Sequence, residues 1–501
     1  MNLVKRKNLF DLLIASFGGV LAGSAFSSNY WILLMPTSLM ILWAFISKPF
    51  LGFIWASIAI SIIHSWIWGL HPIYEINNSF KSLFLTLIIW IVISLFGGFL
   101  IWSWCSISKY FLNRNIIFIN RNGSFIGVLI LASLWGVAED FLSRGPIFWI
   151  GIGDGLVQGD IYLAGLARWI GSSGLSFLTL VISYLMLKLV RQIFCENNKN
   201  YFIITSFILL ISLLHFIGYS SFNLVNSKDI ISAAIWQPNI LIRDKVDQKS
   251  KKLFDLELIK NLETANKFNA DILIAPEGNL PLNYELSIPS PIHFISGGLR
   301  EVDNSIRSSL LEFLKGETKF SNYIDKFRLV PLGEKIPQIV KKYFLMDYRI
   351  QSLQSGLSSR LMELNELPSS VIAICYEISN GYSISKAVRE GGQWIISIAN
   401  LDPYPLKLQK QFLSLVKIRS IENQRDIIIA ANTGPSGLVG QAADLGEIVE
   451  PNQKRVEFFD ITFNRKLTFF TRFQNKPLLG IFVISLIYKI IKSNYLKKQF
   501  Q

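Results

Sequence analysis

Apolar residues in this chain gather into long runs near its two ends and thin out between them, and this segregation restricts the possible folds more than any single motif. The runs cover residues 9–26, 31–46, 51–70, 83–105, 125–141, 175–190 and 201–217. Most approach the roughly 20 residues needed to cross the hydrocarbon core of a bilayer. Lys5-Arg6-Lys7 and the first run alone could be a signal peptide, but further spans follow at once, so the expectation is a retained first helix. With 51% hydrophobic and 17% charged residues over 501 positions, the chain has room for a membrane part and a separate globular part.

Basic residues orient these seven spans. If Lys5-Arg6-Lys7 are cytoplasmic, so are the connections holding Lys48, then Lys109, Arg114 and Arg121, then Lys188, Arg191 and Lys199. The alternate connections are poorer: 27–30 and 71–80 have no Lys or Arg, with Lys81 at the edge of the second, and 142–174 has only Arg144 and Arg168. By the positive-inside rule, seven crossings leave the region after Gly218 outside. A short run at 477–491 holds Lys489, which can snorkel, and is followed by Lys492, Lys497 and Lys498, giving an eighth crossing back. The expected division is a seven-helix transmembrane domain at 1–226, a catalytic domain at 227–470, and a C-terminal helix with a cytoplasmic tail at 471–501. This topology accounts for the net charge of +14; with no zinc-finger spacing and no basic helix, nucleic acid is not expected as a partner. The three cysteines form no C-x-x-C pair, so neither a disulfide framework nor a cysteine-rich metal site is supported. Cys105 and Cys195 fall at cytoplasmic span ends, leaving Cys375 alone outside.

Between the apolar regions the pattern changes to short strands alternating with amphipathic helix, an α/β reading. Strands are expected at 230–236, 272–275, 292–296, 371–374, 394–399 and 427–431, and a helix through Leu253, Leu256, Ile259 and Leu262. Three expected strand ends carry chemistry. Residues 272–275 run into Pro276-Glu277-Gly278, Tyr323-Ile324-Asp325-Lys326 leads to Leu329-Val330-Pro331-Leu332-Gly333-Glu334, and 371–374 end at Cys375-Tyr376-Glu377. A cysteine attacks as its thiolate and needs a base or a positive neighbour, which Glu277 and Lys326 can supply.

The set P-E-G, Y-I-D-K-F-R-L-V-P-L-G-E and I-C-Y-E resembles the carbon-nitrogen hydrolase (nitrilase) superfamily. Together with the membrane half it is similar to the apolipoprotein N-acyltransferase family, whose W-x-x-x-E and G-x-x-G-x-S-F patterns match Trp135 to Glu139 and Gly171 to Phe177. The resemblance implies a multi-span α-helical membrane domain plus an extracytoplasmic α/β domain folded as a nitrilase-like α-β-β-α sandwich. It implies a Glu277, Lys326, Cys375 triad supported by Glu334, Tyr376 and Glu377. It implies an acyltransferase in the bacterial inner membrane with its catalytic domain on the periplasmic side. The implied reaction moves an acyl chain from a phospholipid donor through a Cys thioester to the α-amine of a diacylglyceryl apolipoprotein, with no metal or organic cofactor. Gly278 stands where the family usually has Thr or Ser, Arg328 where it has His, and Asn400-Leu401-Asp402-Pro403 where N-D-x-W is usual.

Glu139 and Arg144 read either as functional intramembrane charges or as an ion pair at a helix end. The 171–177 segment reads either as close helix packing or as ligand contact. Tyr343, Phe344, Leu345 and Met346, in a stretch at 341–367 without clean period, are candidates for a mobile substrate lid that dips into the interface. The competing functions are a membrane-anchored amidase or nitrilase, in which water accepts the acyl group, and a non-catalytic membrane scaffold. Reporter fusions at Ser227 and Asn197 should read opposite sides of the membrane; if both report cytoplasm, the outward orientation is wrong.

Overall fold

A computed structural model describes residues 2–27, 29–70, 79–111, 125–194, 201–222, 229–240, 248–344, 352–402 and 404–499. The membrane half begins with α1 (Asn2–Ser24), α2 (Met35–Ala44), α3 (Pro49–Ile63), α4 (Ser79–Phe111) and α5 (Phe125–Arg144). Short turns α6 (Ile152–Gly155) and α7 (Ile161–Ala164) lead to α8 (Ala167–Phe194) and α9 (Tyr201–Ser220). Among the described residues, five helical stretches are long and apolar enough to cross a membrane, at 49–70, 79–108, 125–144, 167–194 and 201–220, and two shorter apolar ones lie at 8–24 and 31–44. Helices α3 and α4 approach closely because small residues face each other. A Cβ on Gly97 would lie 2.4 Å from Ile60 and one on Gly98 2.2 Å from Ser57.

The middle of the chain forms two six-stranded sheets. The first contains β1 (Ile230–Gln237), β2 (Ile272–Leu282), β3 (His293–Val302), β4 (Ser305–Phe313) and β5 (Asn322–Asp325). The second contains β6 (Leu361–Met362), β7 (Ser370–Ile374), β8 (Trp394–Ala399), β9 (Ile427–Ala431), β10 (Ser436–Val439) and β11 (Leu445–Val449). A last strand, β12 (Arg455–Thr462), returns to the first sheet beside β1, giving the order β12-β1-β2-β3-β4-β5 against β11-β10-β9-β8-β7-β6. At the centre of each sheet three strands run parallel, β1 to β3 and β7 to β9. They are buried on both faces, which is why they read as nearly unbroken Ile, Val and Ala rather than as alternating patterns.

Period-two side chains sort the layers. Ile235, Ile272, Ile274 and Ile295 face Ile372, Ile374, Ile396 and Ile398 between the sheets. Ala234, Leu273 and Phe294 turn outward onto Leu258 and Leu262 of α10 (Gln248–Lys267). Further helices follow: α11 (Gln338–Phe344), α12 (Gly381–Arg389), α13 (Leu406–Asn423), α14 (Phe469–Phe473) and α15 (Lys476–Gln499). On the other side Val371, Ala373, Ile395 and Ile429 meet Ile384 of α12 and Leu415 and Ile418 of α13. The result is an α-β-β-α sandwich. Its α13 side does not face water, because the same apolar core continues into Leu131, Leu175 and Leu180 of the membrane helices.

A buried polar cluster locks this junction. Helix α8 is kinked at Gly171, whose φ of 67° is open to glycine. Past the kink, the backbone N–H of Ser172 donates to Glu422 Oε1 at 2.7 Å. Arg419 pairs with Asp154 and, at 3.2 Å, with Glu422, and donates to Ser172 Oγ at 3.1 Å. The 171–177 segment is therefore a docking surface for the sandwich as well as a packed helix. Glu139 does not pair with Arg144: its buried carboxylate accepts from Trp135 Nε1 at 2.8 Å and the Ile152 N–H at 3.2 Å, while Arg144 pairs with Asp140. Replacing Asp154 by Leu strands part of the Arg419 charge in an apolar junction, a change worth about 3 kcal/mol. The thermal midpoint in detergent should fall, and adding Arg419→Met should recover most of the loss.

Candidate active site

Strand β7 ends at Ile374, and the next residue, Cys375, has φ 56°, a left-handed conformation that a residue with a Cβ adopts at a cost. The turn is imposed by Glu377, two residues on. Its Oε2 accepts the Ile374 N–H at 3.0 Å, and its Oε1 accepts the N–H groups of Phe327 and Arg328 at 2.7 and 3.0 Å. Arg360 closes the pocket by donating to both oxygens at 3.2 and 3.0 Å and to the Asp325 carbonyl at 2.9 Å. One carboxylate thus ties the cysteine turn to the segment carrying Lys326, through charge-assisted bonds of the stronger kind.

Lys326 follows β5 directly and is 1% exposed. Its backbone N–H donates to the Ser308 carbonyl, while Asp325 beside it accepts from Arg300, Arg307 and Ser309. The ammonium donates to Glu277 Oε1 at 2.7 Å and Glu334 Oε1 at 2.8 Å. The far oxygens are also occupied: Glu277 Oε2 accepts the Asn400 N–H at 3.0 Å and Glu334 Oε2 the Val330 N–H at 2.8 Å.

Glu277 sits inside β2, not past its end as the sequence suggests. The pairing of β2 with β3 is interrupted between Ala275 and Leu280 and then resumes, so Pro276 to Asn279 form a bulge in a continuing strand. Gly278 has φ 61°, and Gly297 lets the backbones meet, since a Cβ there would lie 2.4 Å from the Glu277 Cα. The bulge turns the carboxylate toward Lys326.

Electrostatics divides the roles. Burial pushes the Cys375 thiol up, the charges of Glu277 and Glu334 push it further, and Lys326 and the Tyr376 N–H pull it down, leaving a resting thiol. Burial also raises the Glu277 carboxyl, against the opposing charge of Lys326. Burial works against the Lys326 ammonium, but its two carboxylates outweigh it and hold it well above the usual lysine value. A thiol, a carboxylate and a permanent cation in one dry pocket can exchange a proton locally and can hold negative charge on a substrate oxygen.

The remaining expected residues separate. Tyr376 donates to the Leu329 carbonyl at 2.8 Å and carries the Arg328 guanidinium 4.5 Å above its ring; burial first of all raises its phenol to about 12. Arg328 also donates to Ser379 Oγ at 2.9 Å and to the Gly145 carbonyl just after α5. Tyr343 is exposed in the last turn of α11, so Tyr343 and Phe344 end a helix where a loop without period was expected. Leu345 and Met346 lie outside the described residues. Sequence reading missed Arg360, which sits in the stretch set aside as a lid. The one available sign was a lone Arg opening the Leu361-Met362 apolar pair.

No protein-family model matches the chain. An apolipoprotein N-acyltransferase of Prochlorococcus marinus subsp. pastoris is 38% identical over 489 residues, covering 96% of this chain and 97% of that protein. The chain belongs to the apolipoprotein N-acyltransferase family. Another family member, from Parasynechococcus marenigrum, is 33% identical and covers 92% of this chain and 97% of its own length. Among solved structures, an amidase from Nesterenkonia sp. aligns with 52% of the chain at 12% identity and a TM-score of 0.37. As a member of this N-acyltransferase family the protein is an acyltransferase. Glu377→Ala should leave Arg360 buried without its partner, costing about 3 kcal/mol. Hydrogen exchange should show lost protection at the Phe327, Arg328 and Ile374 amides, with β1 and β3 unchanged.

Proposed function

We propose that the protein transfers an acyl chain from a phospholipid to the α-amine of the N-terminal diacylglyceryl-cysteine of an apolipoprotein, using Cys375 as nucleophile, Glu277 as base and Lys326 as oxyanion donor. The observation that carries this reading is the buried Lys326 ammonium bonded to Glu277 and Glu334, with all three charges acting on the Cys375 thiol. Glu277 takes the thiol proton as sulfur bonds to the ester carbonyl carbon. Lys326 and the Tyr376 N–H hold the oxyanion, a donor of this kind being worth about 3 kcal/mol. The carbon–oxygen bond then breaks, and Glu277 returns the proton to the leaving lysophospholipid oxygen, leaving a thioester. In the second half the free amine attacks the thioester carbonyl, Glu277 accepts the amine proton, and as the carbon–sulfur bond breaks Glu277 passes that proton to the departing sulfur, restoring the thiol and its own carboxylate.

Glu334 holds Lys326 in place, while Glu377 and Tyr376 hold the cysteine turn. The spans and basic loops support a multi-pass protein of the bacterial inner membrane with this site on the periplasmic side. Tyr343, Phe344, Leu345 and Met346 are proposed as the base and tip of a lid over the lipid-facing side.

Mass spectrometry of protein incubated with phospholipid should find an acyl adduct on Cys375. Glu277→Gln should prevent its formation, and Lys326→Arg should fail too, because a planar guanidinium cannot reproduce an ammonium held between two carboxylates. A normal adduct rate in Glu277→Gln would remove Glu277 as the base. Because burial raises the Glu277 carboxyl, thioester formation should be lost as pH falls through a midpoint above the ordinary glutamate value of 4.5. An acid limb at or below that value would assign it to another group.

A further inference from the structure

The membrane half contains a cavity of about 240 Å³ between α1, α3, α4 and α5. Its walls include Ala56 and Ala59 of α3, Leu100 and Trp104 of α4, and Leu134 and Ala138 of α5. Ser103 and Glu139 are the polar non-aromatic side chains on its surface, and Glu139 already has Oε1 engaged by Trp135 and the Ile152 N–H. Such a cavity stays dry; an apolar void of about 150 Å³ takes up benzene rather than water.

Its dimensions and position indicate what fills it. Lining residues on α3 run from Trp55 to Ile63 and on α4 from Gly97 to Ile107. At the rise of an α-helix these stretches are about 12 and 15 Å long. Half the hydrocarbon core of a bilayer, the depth of one leaflet's chains, is about 15 Å. At the deep end Trp104, with Ile107 one turn further on, closes the cavity; Trp104 stacks edge-on between Trp43 and Trp135 and donates to the Leu131 carbonyl at 2.9 Å, forming a rigid stop. At the outer end the walls are Ile63, Trp149 and Ile150.

This outer end adjoins the reaction site. Phe148, next to Trp149, packs against both the membrane-half core and the core containing Cys375 and Tyr376. Trp66 lies edge-on to Phe148 and to Tyr404, with ring centres 6.2 and 6.1 Å away. Burial and then the nearby Cys375 charge raise the Tyr404 phenol, placing it at the thiol's side of this aromatic wall.

We propose that the cavity receives the single acyl chain that Cys375 takes from its donor, and that the distance from the aromatic wall to Trp104 sets the preferred chain length. This rests on the acyl-transfer reading and adds a chain-length subsite to it. The chain lies among α3, α4 and α5 with its ester end at the Phe148 wall. Longer chains gain burial down to the Trp104 stop and none beyond it.

Two measurements test this. In the first, adduct formation on Cys375 is compared for phosphatidylethanolamine carrying palmitoyl or octanoyl chains. Ala59→Leu, which fills the middle of the cavity, should lower the palmitoyl-over-octanoyl ratio about tenfold, the factor for withdrawing roughly two methylenes from an apolar site. An unchanged ratio in a folded variant overturns the proposal. The second needs no acyl transfer and no packing change. Cys375→Ala protein in vesicles is irradiated with phosphatidylethanolamine bearing a diazirine at its palmitoyl chain end. Label on Leu100, Trp104 or their neighbours inside the cavity supports the subsite, whereas label only on the exposed Val92 and Phe99 of α4 overturns it. Cavity labelling in Cys375→Ala together with no thioester in the unaltered protein would keep the subsite and reject the reaction.

Discussion

The Lys326 ammonium, bonded to Glu277 and Glu334 with almost no water in reach, is the interaction on which the rest of the site depends. Two carboxylates and one cation out of water would be costly if any were left unpaired. Every oxygen of the two glutamates therefore has a donor, and the backbone amides of Asn400 and Val330 supply those that Lys326 does not. Meeting that requirement fixes the bulge in β2, the turn after Val330 and the start of the loop after β8. The turn at Cys375 follows from a third carboxylate, Glu377, whose four donors come from three separate stretches of chain.

The second organising feature is the lack of a boundary between the two halves. Arg419 meets Asp154 across 265 positions of sequence, and apolar side chains of α13 and α8 belong to one core. Burial raises the Glu422 carboxyl to about 7, with Arg419 opposing. Arg328 adds a direct link, since it bonds the turn after the cysteine to the carbonyl of Gly145 at the end of α5.

What could be read from the sequence was governed by locality. The central parallel strands announced themselves because strands buried on both faces must be continuously apolar, and the chemical residues lie in short motifs at or near their ends. Strands β4 and β12 were not read: β4 opens on polar residues in a hairpin with β3, and β12 is half-polar and owes its pairing to β1, far away in sequence. The bulge holding Glu277 was hidden for the same reason: Pro276 and Gly278 signal a strand end, and only renewed pairing of Leu280 with Gly298 shows that the strand continues. The Arg419–Asp154 pair is legible only in three dimensions, since its members lie 265 positions apart.

The shared core has a consequence for taking the protein apart. In an isolated sandwich, Arg419 and Glu422 of α13 would lose the Asp154 carboxylate and the Ser172 N–H that pair with them, and Lys407 and Ser414 their partners at Ser65 and Gln158. The freed face would carry a charged cluster stripped of its partners, beside an apolar core cut off from its continuation in the membrane helices. Excision at the sheet boundaries would therefore yield no soluble enzyme, and the lipid-embedded helices act as the missing half of the sandwich's own interior.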